Sequence, residues 1–257
     1  MAILTFHNTD TSRQIGFNNY HPNRLRRILE GLLEAGYELL SMDEYLGNRD
    51  NRKNICLSFD DGYESFFNYA FPVLKELNLK AIVFVPAAYI GRRADWDYTG
   101  KLLNTMHLNE RQIAEIADSG IEIGSHGSSH TDLTSMSERG LKVELEHSKS
   151  KLEQLTALPV NYISYPFGRF NGEVEMWAAQ YGYKNGFSLS YFKKSKYGFT
   201  IPRSAVYSTD TMLSILATIN GGFPGSVEKL KRAIMNAYAS GTIWLNKIRS
   251  RNINFQV

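Results

Sequence analysis

Short apolar runs that alternate with amphipathic segments set the strongest limit on how this chain folds. The stretches "AILTF" (2–6), "ICLSF" (55–59), "AIVFVP" (81–86), "IEIGS" (121–125), "YISYP" (162–166), "GFSLS" (186–190) and "IPRSAVY" (201–207) read as strands. Between them lie segments with apolar residues at helical spacing, such as Leu25, Ile28, Leu29, Leu32 and Leu33, or Leu141, Leu145, Leu152 and Leu155. Repeated strand-then-helix units argue for an α/β fold with a parallel sheet, open or closed into a (β/α) barrel. The chain has 257 residues, 43% hydrophobic and 21% charged, which is enough apolar material for one barrel-sized domain. The barrel is expected over residues 1–207 and a helical tail over 210–257, the whole forming a single domain.

Charge and cysteine usage narrow the function classes. A formal net charge of +3 is too small to argue for a nucleic-acid partner, and none is expected. The single cysteine, Cys56, excludes an internal disulfide and reads as a small buried hydrophobe. The opening "MAILTFHNTD" has no basic segment followed by a long apolar run, so a cytoplasmic location is expected. No stretch is apolar enough to span a membrane.

Barrels of this kind carry their chemistry at the C-terminal ends of the strands. Those ends present His7, then Asp60 and Asp61, then His126 and His130, then Tyr165-Pro166-Phe167-Gly168. Two adjacent carboxylates at a buried turn repel each other unless something compensates them. A cap on the helix that begins near Glu64 explains one aspartate but not both. His126 and His130, spaced H-x-x-x-H, can converge on one ion, the alternative being a pair of solvated loop histidines. One carboxylate and two imidazoles give three protein ligands and leave a position open, the layout of a catalytic metal. Asp61 then neutralises part of the ion's charge, and Asp60 takes a proton from water that the ion acidifies. Gly62 gives the turn the freedom to aim both side chains at one point.

With these residues in view, the chain resembles the NodB-homology polysaccharide deacetylases, carbohydrate esterase family four. "SFDDG", "SHGSSH" and "YPFGRFN" are similar to its first three motifs, in order, and the resemblance covers roughly residues 1 to 207. It implies a distorted (β/α) barrel with fewer than eight regular strands, a divalent metal ion, usually zinc, and hydrolysis of N-acetyl groups on sugars. It implies Asp60 as general base and Asp61, His126 and His130 as ligands. The Phe167 N–H would help to hold the oxyanion, with Tyr165 and Arg203 counted on the same oxyanion and substrate side.

Two departures from the family pattern shape the reading. Most members carry a late histidine as catalytic acid, but the last histidine here is His147. His7 can fill the role, because in a closed barrel the first and last strands are neighbours. A circularly permuted subgroup, similar to the poly-N-acetylglucosamine deacetylases, has this arrangement. The bland alternative for His7 is a strand-end histidine satisfied by loop carbonyls. Ser164 stands where the family often has an arginine that orients the catalytic aspartate, and Arg203 either replaces it or forms a surface salt bridge.

Other features carry plainer readings. His21 precedes a proline at a helix start and reads as local capping structure, and His107 and His147 have no acidic or thiol partners at ligand spacing. The loop "GRRADWDYTGK" (91–101) either solvates or offers Trp96 to a sugar. In the tail, Val227, Leu230, Ile234, Ala237, Gly241, Trp244 and Ile248 form an apolar seam beside six basic residues and one acid, Glu228. Packing against the barrel is the favoured reading; peripheral contact with an anionic membrane is the other. The function expected is a metal-dependent N-deacetylase acting on an amino-sugar glycan or glycan precursor. The alternatives are a deformylase or amidase on a lipid- or nucleotide-linked sugar, or a silent carbohydrate-binding protein.

Overall fold

The computed structural model describes residues 2–11, 18–48, 50–94, 105–189, 193–221, 226–228 and 230–231. Its strands are β1 (Ala2–Phe6), β2 (Asn8–Thr9), β3 (Asn19–Tyr20), β4 (Glu38–Leu40), β5 (Asn54–Phe59), β6 (Ile82–Val85), β7 (Glu122–Ser125), β8 (Tyr162–Ser164), β9 (Asn185–Ser188), β10 (Thr200–Pro202) and β11 (Ser204–Ala205). The main sheet is parallel, in the order β10-β9-β8-β7-β6-β5-β1-β11. β10 and β11 are consecutive in the chain and separated only by Arg203, so both ends of that order belong to one segment. Its first half pairs with β9 and its second half with β1, Leu4 facing Ser204, which closes the ring. Of the two sheet forms open to the sequence, the barrel is the one adopted.

All seven expected strands occur: β1 has the expected ends, the others have changed ends, and "IPRSAVY" is split at Arg203 into β10 and β11. "YISYP" stops at Ser164, where the chain turns into a 3-10 helix over Pro166–Gly168. β4, only three residues long, gave no periodic signal. It pairs with Asn54–Cys56 of β5 below the point where β6 joins at Ser58.

Alternation along the strands separates two apolar layers. Leu4, Phe6, Leu57, Phe59, Val83, Val85, Ile123 and Ile163 join the core shared with the outer helices. Ile3, Cys56, Ile82, Phe84, Tyr162 and Phe187 form a separate cluster that fills the ring, with Met42 and Tyr45 beneath it. Gly124 makes room for this filling, since a Cβ there would lie 2.4 Å from the Phe84 ring. Nearer the C-terminal ends the buried positions become polar, with Thr5, Ser58, Ser164 and Arg203. Hence the bottom of the barrel is plugged by hydrophobes and its top is built for charge.

Outer helices follow the predicted periodicity. Pro22–Glu34 buries Leu25, Ile28, Leu29 and Leu32, and the His21 side chain accepts the Asn23 N–H at 3.3 Å as its cap. Leu33 stays exposed. The region around Leu145 is not one regular helix: a π turn over Val143–His147 separates Glu138–Lys142 from Ser148–Thr156. Of the tail, the helix Met212–Asn220 packs on the barrel, with Met212 against Gly31 and Tyr37 donating to Asn220 at 2.8 Å. Val227 and Leu230, the first members of the apolar seam, are exposed, while Lys231 pairs with the buried Asp210 at 2.7 Å. The rest of the seam and Trp96 lie outside the described residues. No helix among the described residues is long and apolar enough to cross a membrane.

The plug is held by a carboxylate. Glu122 accepts the Met42 and Asp43 N–H groups at 2.5 and 3.3 Å, capping the helix Met42–Gly47. Burial raises the Glu122 carboxyl from 4.5 to about 7, partly opposed by those two bonds. An acid whose folded pKa lies above its unfolded value loses stability as pH rises between the two values. Chemical denaturation should therefore show stability falling from pH 4.5 to 7 by on the order of 1–3 kcal/mol. In Glu122→Gln that segment of the profile should flatten; an unchanged slope would assign the pH dependence to another group.

Candidate active site

The site is assembled where β1, β5, β7, β8 and the closing segment end together. Asp60 follows β5, and its N–H donates to the Phe6 carbonyl at 3.0 Å, which sets His7 alongside. Both Asp60 and Arg203 are buried, at 3% and 1% exposure. Arg203 donates from its two terminal nitrogens to the two Asp60 oxygens at 2.8 and 2.7 Å. The same nitrogens reach the Ser58 and Ser164 hydroxyls at 3.0 and 2.6 Å, and the guanidinium lies over the Phe84 and Phe187 rings at 5.0 and 5.8 Å. Arg203 thus faces inward toward Asp60 and is no surface ion pair. Burial alone would raise the Asp60 carboxyl; the Arg203 charge and hydrogen bonds, helped by His126 and His7, outweigh it and hold Asp60 below the usual range.

Asp61 turns the other way. Its φ of 70° lies in the left-handed region, as does Gly62 at 55°, where an added Cβ would meet Val85 at 3.3 Å. Among the described non-glycine residues five have positive φ, and three of them, Asp61, His130 and Phe167, belong to this site. Strain of this kind persists only where the surroundings enforce it. Asp61 Oδ1 lies 3.3 Å from Nε2 of both His126 and His130. Burial pushes the Asp61 carboxyl up, and hydrogen bonds from the two imidazoles hold it well below its ordinary value.

The donor set fits a small divalent ion. Two donors each about 2.0–2.1 Å from a tetrahedral ion are about 3.3–3.4 Å apart. Asp61 Oδ1 stands at that spacing from both imidazoles, and all three donor atoms lie within 4.8 Å of one another. His126 Nδ1 donates to the Ser164 carbonyl at 2.7 Å, which leaves Nε2, the nitrogen that faces Asp61, as the atom that would bind an ion once it gives up its proton. A buried histidine cluster satisfied as solvated loop groups does not describe this arrangement.

The other sequence-derived residues fall as follows. His7 is half-buried and close enough to stabilise the charges of Asp60 and Asp61; its Nδ1 has no hydrogen-bond partner among the described residues. The Phe167 and His130 rings meet edge to face, with centroids 4.8 Å apart. Tyr165 places its side chain in the core, stacked on Phe170, bonded by Thr200 at 3.3 Å and lying against the Gly186 Cα. Its backbone, not its phenol, belongs to the turn that carries Phe167.

Two partners were not found by motif spacing. Ser164 joins the halves of the site, its carbonyl to His126 and its hydroxyl to Asp60 and Arg203. His107 is buried, stacked on Tyr63, and its Nδ1 lies 2.8 Å from the Asp61 carbonyl. Burial pushes His107 down to about 4, so at neutral pH it donates as a neutral imidazole. Neither has a ligand-like neighbour in sequence, which is why spacing missed them.

Arg203→Met would leave Asp60 buried without its counter-charge, at a cost of about 3–5 kcal/mol. It should lower the melting temperature and move the acid limb of kcat/KM to higher pH, since Arg203 is the main influence holding Asp60 ionised. An unmoved acid limb in a folded variant would assign that limb to a group other than Asp60.

Comparison with known proteins agrees with this geometry. The family model for polysaccharide deacetylases matches residues 47–186. The Bacillus subtilis (strain 168) protein YxkH is 30% identical over 72% of this chain and 63% of its own length. The peptidoglycan-N-acetylmuramic acid deacetylase PdaA of the same organism is 29% identical over 60% of this chain and 55% of its own. The chain therefore spans somewhat over half the length of these relatives. The Streptococcus pyogenes deacetylase PplD, solved in complex with acetate, superimposes with a TM-score of 0.73 over 85% of this chain and 97% of that one. At 23% identity that likeness shows the fold. By its family match and its barrel, the chain belongs to the polysaccharide deacetylases.

Proposed function

We propose that the protein is a metal-dependent N-deacetylase that removes acetyl groups from an amino-sugar glycan or glycan precursor. The observation that carries this reading is one pair of adjacent residues with two fates. Buried Asp60 is clamped and held ionised by Arg203, while Asp61 completes a three-donor cluster with His126 and His130. A sugar-binding protein without catalysis has no use for a buried carboxylate held ionised at such cost. The deacetylases PdaA and PplD, similar in sequence or fold, support the acetyl chemistry.

A divalent ion held by Asp61, His126 and His130, with zinc suited to two imidazoles and a carboxylate, would polarise the scissile carbonyl and acidify water. Asp60 takes the proton from water as the water oxygen bonds to the acetamide carbon. The Phe167 N–H, set by a left-handed backbone beside His130, holds the developing oxyanion. His7 gives a proton to the amide nitrogen as the C–N bond breaks, so acetate and the free amino sugar leave.

A mass-spectrometric screen of N-acetylated and N-formylated sugars, sugar nucleotides and lipid-linked sugars tests the reaction. Acetate release from an amino sugar is expected, and formate release alone would make the protein a deformylase. Exhaustive chelation should abolish turnover and added zinc should restore it. Ala at both His126 and His130 should remove bound metal, whereas Asp60→Asn should keep it and lose activity. Stoichiometric metal in the folded double variant would overturn the ligand assignment. For the acid, His7→Ala should lower kcat by about 10²–10⁴-fold, the usual worth of a general acid. Near-parental turnover from that variant would show that the proton comes from elsewhere.

A further inference from the structure

The five residues from His126 to His130 form a turn whose polar backbone groups are clamped from three sides. Ala87 and Ala88 donate to the Gly127 and Ser128 carbonyls at 3.0 and 2.9 Å. The Ser125 hydroxyl accepts the Gly127 N–H at 3.1 Å. The His126 N–H donates to the Val85 carbonyl at 3.0 Å, and three further donors converge on one carboxylate: Glu144 accepts the Ser128 N–H at 2.7 Å, the Ser129 N–H at 3.0 Å and the Ser129 hydroxyl at 2.5 Å. Glu144 is 4% exposed and, among the described residues, has no ion-pair partner. Its compensation is a pair of successive backbone N–H groups, which form an anion-binding concavity. The π turn over Val143–His147 lets Glu144 and Leu145 both face inward from a helix that otherwise shows an apolar face. The fit is close, because a Cβ on Gly127 would lie 2.9 Å from the Glu144 carboxylate.

His130 ends this turn in the left-handed region, at φ 53°. An isolated turn would not hold a non-glycine residue there without support. We propose that Glu144 is a positioning residue: it fixes the 126–130 turn so that His126 and His130 are preset as ligands before an ion arrives. The proposal rests on the metal-site reading above and goes beyond it by assigning the preorganisation to a residue that touches neither ion nor substrate. Outer groups that orient metal ligands are worth about 10–100-fold in affinity when removed.

Zinc affinity of the metal-free full chain, measured by competition with a chromophoric chelator, tests it. Glu144→Gln keeps the shape but offers an amide N–H₂ to groups that are themselves donors; it should bind zinc about 10–100-fold more weakly. At saturating zinc its kcat and KM should return to parental values, a split that a damaged fold would not give. Glu144→Asp, which keeps the charge but withdraws it by one methylene, should also bind more weakly and decides the matter if Glu144→Gln does not fold. Parental zinc affinity in a folded variant would overturn the proposal, as would a kcat that stays low at saturating zinc. Failure of the parent to bind zinc would sink it together with the metal reading. Zinc binding without acetate release would instead sink the deacetylase reading alone.

Discussion

The fork between Arg203 and Asp60 is the interaction on which the rest of the site depends. Asp60 is buried, and burial alone would push its carboxyl up, against the ionised form. A guanidinium answers that conflict better than an ammonium, since it does not titrate and matches both carboxylate oxygens at once. Arg203 is also the residue between β10 and β11, the point where the ring closes. Its N–H donates to the Ser188 carbonyl at 2.7 Å on the β9 side, and the next two residues pair with β1. Closing the barrel and holding Asp60 ionised are thus one structural event. The Phe84 and Phe187 faces beneath the guanidinium show how the apolar filling of the barrel supports its charged top.

On the other side of the same turn, the ligand cluster depends on backbone geometry more than on charge. Asp61 can serve a different partner from Asp60 because a left-handed residue swings its side chain away from its neighbour's direction. The neutral His107 holds the Asp61 carbonyl, Ser164 holds His126, and Glu144 holds the turn that ends in His130. Each of the three candidate ligands therefore has its own support, drawn from a different segment. On the metal reading proposed above, such a site would lose little entropy on binding an ion, because the ordering was completed when the chain folded.

Much of this was legible before any coordinates. Apolar runs marked every long strand, and the chemistry gathered at their C-terminal ends, because alternation and strand-end placement are local consequences of the backbone. The pairing of Asp61 with His126 and His130 could be read from "SFDDG" and "SHGSSH", since residue type and short spacing carry ligand chemistry. The family resemblance put Tyr165 on the substrate side; its ring is packed over Gly186, a contact between neighbouring strands distant in sequence that no local pattern encodes. The π turn at Val143–His147 escaped for a similar reason: the periodicity of leucines does not reveal an added residue in one turn.

What the sequence determined by itself was the repertoire: a parallel α/β architecture, with a candidate base, a candidate set of ligands and a candidate acid at strand ends. Tertiary structure decided the partners. It closed the sheet into a ring and brought Arg203 from the far end of the chain to Asp60, 143 residues away. It also turned a helical glutamate with no sequence signature into the support of a loop 15 or 16 residues before it. The reason is physical. Local pattern reports which face of an element is apolar, whereas a buried charge is satisfied only by whatever groups packing brings within hydrogen-bond reach.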